Sequence, residues 1–117
     1  MKSIYCLELE NGRFYVGQTP TGRLQRRYEE HKYLGGAKWT SRHGVRRLLW
    51  SVQVLPSDAD EAEDLACLEI MLKHGRNSCR GGKFNISYDV PSRGPRWLKA
   101  PYAGKWQEIL AAGQHLP

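Results

Sequence analysis

The residues best suited to chemistry in this chain combine proton-transfer, anion-binding and cation-binding side chains: Tyr5, Tyr15, Arg27, His31, Glu69 and Asn85. Tyrosine and histidine can move protons, arginine can hold anionic oxygens, and a carboxylate can hold a hard divalent cation. Phosphodiester hydrolysis needs an activated water, charge stabilisation at the phosphate, and protonation or metal binding at the leaving oxygen. These side chains can act together only if the local structure brings them to one place.

The two tyrosines lie in short apolar-rich stretches on either side of Asn11-Gly12, a pair that favours a β-hairpin turn. A two-residue turn would point the phenols of Tyr5 and Tyr15 to opposite faces of the sheet. A turn one residue longer places Tyr5 opposite Gly17 and puts both hydroxyls on one face, beside a glycine that leaves room for a ligand. We favour the longer turn.

The stretch after the hairpin predicts a helix that begins at 19–21, with a threonine cap and proline in the first turn, and runs to near Leu34. Because residues i and i+4 share a helix face, Arg27 and His31 can point into the same space. Each has an ordinary alternative. Arg27 could form a surface ion pair with Glu30, and His31 could be a half-buried helix histidine.

The clearest helix pattern runs from Ser57 or Asp58 to His74. Glu69 lies four residues after Leu65 and three before Leu72, which places it within the apolar stripe of this helix. A lone carboxylate on a buried face costs several kcal/mol unless it is paired, protonated or bound to a metal. We expect Glu69 to coordinate Mg²⁺, and a buried pair with an arginine is the alternative.

The remaining elements carry weaker functional signals. A strand is predicted over 48–55, and a short helix or helix-like loop over 38–47, where Trp39 is either a stacking face or a core anchor. The glycine-rich basic loop 80–83 either lets backbone approach a phosphate or forms an ordinary turn. A further helix is predicted over 102–112.

The formal charge of +6 and the pI of about 9.4 favour an anionic partner, with nucleic acid first and an acidic membrane surface second. Basic residues dominate 13–53 and 73–105, and acidic residues concentrate over 58–69. Each basic tract could instead serve only to keep the surface soluble. Six cations are candidates for phosphate contacts: Arg26, Lys38, Arg42, Arg46, Arg80 and Lys83.

The length of 117 residues fits one domain with a modest core. Cys6, Cys67 and Cys79 are odd in number and lack C-x-x-C spacing, which argues against a disulfide framework and a zinc site and favours a cytoplasmic, reducing compartment. No signal peptide or long apolar run is visible, so we expect no membrane partner.

Ser3-Ile4-Tyr5 and Tyr15-Val16-Gly17 resemble the paired motif of the GIY-YIG nucleases, with Ser3 in place of the usual glycine and Val16 in place of the usual isoleucine. The arginine, histidine, glutamate and asparagine follow in the family's order within about the first 90 residues. The segment 84–86 is similar to the late asparagine segment of the family, with Asn77 as a poorer alternative to Asn85.

The resemblance implies an α/β (α+β) domain over 1–117, with a small central three-stranded antiparallel sheet flanked by helices and a core over about 1–90. It also implies an endonuclease that uses Mg²⁺, or Mn²⁺, and no small-molecule cofactor. The expected products of DNA hydrolysis are 5′-phosphate and 3′-hydroxyl ends, and single- and double-stranded DNA both fit. The alternatives are a catalytically inactive, basic nucleic-acid-binding domain and a structural or protein-interaction domain.

The resemblance also assigns roles to the candidate residues. Glu69 would hold the metal ion, and Tyr5 would be the general base, with its pKa lowered by Arg27. Arg27 would also clamp phosphate oxygens, and His31 would orient groups or relay protons. Two residues would have supporting roles: Tyr15 would position water or phosphate, and Asn85 would brace the glutamate or the backbone.

Overall fold

A mixed four-stranded sheet forms the centre of the described part of the chain, in the order β3-β1-β2-β4. The structure is a computed structural model that describes residues 1–85 and 102–112. Strands β1 (Lys2–Leu9), β2 (Phe14–Pro20) and β3 (Val45–Val54) pair antiparallel. Strand β4 (Cys79–Gly81) pairs parallel to the outer edge of β2.

Helices cover both faces of this sheet. Helices α1 (Leu24–Tyr33) and α2 (Lys38–His43) lie on the face that carries Tyr5 and Tyr15. The opposite face is covered by α3 (Ala59–His74), and α4 (Tyr102–Ala112) packs against α3. The predicted extent of α4 agrees with the structure. Tyr5 and Tyr15 therefore lie between the sheet and the α1–α2 pair.

The mixed α/β class agrees with the sequence prediction, whereas a sheet of three antiparallel strands is not what the described residues form. Strand β4 was expected to be a glycine-rich loop. It is three residues long and is paired with 14–16 of β2. A strand this short has no alternating pattern to detect, so only its tertiary pairing reveals it.

Several element boundaries also differ from the prediction. Pro20 ends β2, and a 3₁₀ turn over Thr21–Arg23 precedes α1, so the expected threonine cap is not formed. Helix α2 stops at His43 because Gly44 adopts a positive φ of 74°, and β3 then begins at Val45. Asp58 makes no side-chain cap on α3. Sequence patterns determine the ends of helices and strands, where caps and turns lie, less well than they determine the interiors of these elements.

The hairpin register is the one we favoured. Tyr5 pairs with Gly17 and Leu7 pairs with Tyr15, so both phenols lie on the same face of the sheet. The turn spans Glu10–Gly12 and closes with the Leu9 N–H donating to the Arg13 carbonyl at 2.8 Å. Both Asn11 and Gly12 have positive φ, which asparagine and glycine tolerate best.

Trp39 is a core anchor and not a stacking face. It is buried with Tyr5, Leu7, Leu9 and Tyr15, and its Nε1 donates to the Phe14 carbonyl at 2.9 Å. This contact fastens α2 to the start of β2. Because α2 is held there, it can place its other side chains against α1 and the hairpin.

The cysteines and helices add two general facts. Cys6, Cys67 and Cys79 are all buried and unbridged. Across the residues that the structure describes, no helix has both the length and the apolar character needed to cross a membrane.

Candidate active site

Tyr5, Tyr15 and His31 meet in a buried cluster between the β1–β2 hairpin and α1. The Tyr5 hydroxyl and His31 Nε2 are hydrogen-bonded at 2.8 Å. The His31 ring centroid lies 4.8 Å from that of Tyr15 and 5.8 Å from that of Tyr5. Of the six candidate residues, the structure brings these three into contact.

Gly17 makes room for the Tyr5 ring. A Cβ added to Gly17 would lie 2.3 Å from the Tyr5 hydroxyl oxygen and 2.4 Å from Cζ. We expected this glycine to leave space for a ligand, but the phenol itself fills that space. Gly17 therefore sets the position of the Tyr5 hydroxyl.

Arg27 lies one turn before His31 on α1. It is near the charged Glu30, and it also lies close enough to His31 to affect that residue. Its Nη1 is 3.7 Å from Glu30 Oε2, and its Nη2 donates to the Gly36 carbonyl at 3.4 Å. Its positive charge also acts on the pKa values of both Tyr5 and His31. The guanidinium is thus a partly exposed cation at the edge of the buried cluster.

Burial dominates the acid–base properties of the cluster. Burial raises the pKa of Tyr5 to about 12, although the charge of Arg27 opposes that rise. Burial also raises the pKa of Tyr15 well above its ordinary value. The pKa of His31 is lowered to about 4 by burial and by Arg27. The expectation of a lowered Tyr5 pKa is wrong in the free protein, and at neutral pH both phenols are protonated while His31 is neutral.

A second group of polar residues surrounds a cavity of about 340 Å³ beside this cluster, lined by Asp60, Glu63, Asp64, Gly82, Lys83 and Asn85. Gln18 joins the cavity to the hairpin, because its Nε2 donates to Glu63 Oε2 at 2.6 Å and to Asp60 Oδ1 at 2.7 Å. The Gly82 N–H donates to Glu63 Oε1 at 2.9 Å. The negative charge of Glu63 also raises the pKa of Tyr5. The cavity and the tyrosine cluster are therefore electrostatically connected.

Glu69 lies elsewhere, and its predicted burial is wrong. Its side chain is 58% exposed and forms an ion pair of 2.5 Å with Lys105 of α4. Glu63 lies six residues before Glu69 on α3. Their side chains are therefore separated by about 120° around the helix axis and about 9 Å along it. The argument that a buried carboxylate needs a metal therefore applies to Glu63, which is 7% exposed, and not to Glu69.

The burial of Glu63 was not evident from the sequence because of the way α3 packs. Its buried positions are Ala59, Glu63, Asp64, Cys67, Leu68 and Met71. Leu65, which we took as part of the apolar stripe, is 36% exposed. Because α3 contacts the sheet on one side and α4 on another, it carries apolar residues on more than one face. The spacing of Ala59, Cys67 and Met71 around Glu63 was the available signal.

Asn85 lines the same cavity as Glu63. Asn77 has a different contact, because its Oδ1 accepts a hydrogen bond of 3.0 Å from Arg80 Nη2. Asn85 is therefore the better placed of the two candidates.

Arg80 cannot contact a nucleic acid in this structure. It is 0% exposed, its guanidinium carbon lies 4.5 Å from the centroid of the Trp39 ring, and its Nη1 donates to the Cys79 carbonyl at 2.8 Å. Its assignment as a phosphate-binding residue is wrong, and it supports the core instead. The other five candidates are exposed: Arg26, Lys38, Arg42, Arg46 and Lys83.

The acidic cavity fits a magnesium ion held by few protein ligands. In 1–85 and 102–112, no group of three or more His, Cys, Asp or Glu side chains is arranged as a ready metal site. Mg²⁺ commonly binds through one or two carboxylates, with waters and substrate phosphates completing its shell. Each Glu63 oxygen accepts one hydrogen bond from the protein and keeps further lone-pair capacity. Burial raises the pKa of Glu63 and of Asp64, a cost that a bound cation would offset.

Comparison of the chain with models of protein families, with curated proteins and with solved structures found no match. The function must therefore be inferred from the residues and their geometry.

Proposed function

We propose that this protein is a metal-dependent endonuclease of the GIY-YIG type, which hydrolyses phosphodiester bonds in DNA and leaves 5′-phosphate and 3′-hydroxyl ends. The observation that carries this proposal is the buried hydrogen bond of 2.8 Å between the Tyr5 hydroxyl and His31 Nε2. Tyr15 and Arg27 border this pair, and the Glu63 cavity lies beside it. These are the residue types that proton transfer, anion binding and cation binding require.

The Tyr5–His31 pair would move a proton away from the attacking water. The Tyr5 oxygen takes a proton from water as its own proton passes to His31, so that no free phenolate has to form. This coupling matters because the pKa of Tyr5 is raised to about 12 by burial. The hydroxide equivalent adds to phosphorus and the bond from phosphorus to the 3′ oxygen breaks. That oxygen takes a proton from a solvent water, and the hydroxide so formed receives the proton that His31 holds.

Arg27 would bind the scissile phosphate and adjust the basicity of His31. In the free protein, burial and then the charge of Arg27 lower the pKa of His31 to about 4. A phosphate docked on Arg27 compensates that charge and places a negative group near the imidazole, and both effects raise the pKa of the histidine. Substrate binding would thus convert a weak base into a stronger one at the moment when it is needed.

Glu63 takes the metal-binding role for which Glu69 was first considered. Gln18 and the Gly82 N–H orient its carboxylate, and Asp60, Asp64 and Asn85 line the same cavity. An Mg²⁺ or Mn²⁺ ion held there would supply positive charge to the phosphate and to the leaving oxygen. The neighbouring acids favour a cation in this cavity.

Exposed cations next to the cluster supply a surface for DNA. Arg26 neighbours Arg27 on α1, and Lys38 and Arg42 lie four residues apart on α2. These are the helices that form the walls of the buried cluster. Contacts to phosphates from this surface would position the backbone without reading sequence.

A catalytically inactive nucleic-acid-binding domain is the second candidate, and the high pKa of Tyr5 is the observation that favours it. One assay separates the two. The protein is incubated with supercoiled plasmid in Mg²⁺ and in excess chelator, and DNA binding is measured in parallel.

Nicking in Mg²⁺ that is lost with chelator, with ends that a ligase can rejoin, is the result expected of a nuclease. Binding without nicking in Mg²⁺ or Mn²⁺ would overturn the enzymatic proposal. The absence of both would leave a structural or protein-interaction domain.

A further inference from the structure

Thr40 contacts the ring nitrogen of His31 that faces away from Tyr5. Its Oγ1 lies 3.2 Å from His31 Nδ1, and both groups are buried. Thr40 belongs to α2, whereas His31 belongs to α1. The contact therefore joins two helices at the point where the proton-transfer pair is formed.

The surroundings of the Thr40 hydroxyl determine where its single proton lies. The Ala37 carbonyl is 2.9 Å from Thr40 Oγ1 and can only accept, so the hydroxyl donates to it. The Ala37 N–H donates to the same oxygen at 3.2 Å. With its proton directed to Ala37, the oxygen has only acceptor capacity left for His31.

It follows that His31 Nδ1 carries a proton and donates to Thr40. In a neutral imidazole the second nitrogen is then an acceptor. Nε2 must accept from the Tyr5 hydroxyl, which is the direction that proton removal from Tyr5 requires. The opposite tautomer would leave two acceptors, the bare Nδ1 and the Thr40 oxygen, facing each other.

We infer that Thr40 is a positioning residue, which holds neutral His31 as the Nδ1–H tautomer so that Nε2 faces Tyr5 as a proton acceptor. Capping of α2 alone would require only the contacts with Ala37, and the bond to His31 is additional. The catalytic consequence rests on the proposed nuclease function. The tautomer itself does not depend on it.

The test is ¹⁵N NMR of the histidine side chains at neutral pH, where the two-bond couplings distinguish a protonated from a bare ring nitrogen. His31 signals are identified by their absence in His31→Asn. We expect the wild-type protein and Thr40→Ser to carry the proton on Nδ1. A wild-type spectrum with the proton on Nε2 would overturn the inference, whether or not the protein cleaves DNA.

Thr40→Val keeps the side-chain shape but removes the acceptor. We expect it to shift His31 toward the Nε2–H form and to lower kcat for nicking by about 10²-fold with little change in KM, while Thr40→Ser retains most activity. An unchanged Nδ1–H tautomer in a folded Thr40→Val protein would remove the positioning role. Should Thr40→Val fail to fold, the wild-type and Thr40→Ser spectra still decide the tautomer. Inactive wild-type protein with the Nδ1–H form would refute the nuclease and leave the tautomer assignment standing.

Discussion

Gln18 and Glu63 are joined by a hydrogen bond of 2.6 Å that ties the second strand to the second turn of α3. Gln18 lies next to Gly17, the residue over which the Tyr5 phenol packs. The same segment of β2 therefore positions a phenol on one side and a carboxylate on the other. In the proposed function, this arrangement would bring the proton-transfer pair and the cation-binding carboxylate to the same segment of β2.

Tyr5→Phe removes the hydroxyl that is bonded to His31 while keeping the ring. We expect the nicking rate to fall by about 10²-fold or more, since a positioned base contributes roughly 10²–10⁴-fold. Unfolding free energy should fall by about 1–3 kcal/mol, because His31 Nε2 loses a buried partner. Tyr33→Phe is the matched control, because Tyr33 is 70% exposed. Full activity in Tyr5→Phe would exclude Tyr5 from the proton path.

Gly17→Ala tests the position of the phenol without changing any ionisable group. The added Cβ would fall 2.3 Å from the Tyr5 hydroxyl oxygen, so the Tyr5 ring must shift from its position. We expect a large loss of nicking with DNA affinity retained. Gly22→Ala serves as the control because a Cβ there has nothing within 4 Å. Equal nicking rates for the two variants would show that the hydroxyl position is not critical.

His31 makes folding stability depend on pH. Its pKa is about 4 in the folded protein and about 6.5 when unfolded, so the unfolded chain binds more protons between these values. The contribution of His31 to the unfolding free energy has its full value above about pH 6.5 and is lost as the pH falls to about 4. The neighbouring Tyr5 and Tyr15 stay protonated throughout this window, because burial raises the pKa of both phenols.

The corresponding measurement is urea unfolding at pH 7.5 and pH 4. Between pH 7.5 and pH 4, the unfolding free energy of the wild-type protein should fall by about 3 kcal/mol more than that of His31→Gln. The comparison cancels the contributions of the carboxylates, which both proteins share. A difference close to zero would show that His31 is not held neutral by burial.

Salt dependence of DNA binding locates the nucleic acid. Neutralising Lys38 and Arg42 together should reduce the log–log slope for duplex DNA by about 2, or about 0.9 for each phosphate contact. Arg80→Gln should leave the slope unchanged and instead lower the unfolding free energy by about 1–3 kcal/mol, since Arg80 is buried and hydrogen-bonded. If the double variant kept the wild-type slope, the DNA would lie on another surface.

The hairpin and the shared helix face of Arg27 and His31 could be predicted because they depend on local rules. Asn11-Gly12 predicts the hairpin, the longer of its two possible turns places Tyr5 and Tyr15 on one face, and the i, i+4 spacing puts Arg27 and His31 on one helix face. None of these steps requires knowledge of distant residues.

The carboxylate and the acid–base properties could not be predicted because they depend on tertiary packing. The sheet packs against one face of α3 and α4 packs against another. Glu63 lies on the face toward β2 and Glu69 on the face toward α4, and the spacing of residues in the sequence did not distinguish these faces. The pKa of Tyr5 depends on burial beneath two helices, and this exceeds the effect of Arg27. Strand β4 exists only through its pairing with β2.

The most direct test of the account compares Glu63→Gln with Glu69→Gln in Mg²⁺-dependent plasmid nicking. Both changes remove one negative charge from the same helix, but only Glu63 lines the cavity beside Tyr5. We predict that Glu63→Gln lowers the nicking rate by about 10²-fold or more with DNA binding retained, and that Glu69→Gln stays close to wild type. Loss of nicking in Glu69→Gln together with an active Glu63→Gln would contradict the account.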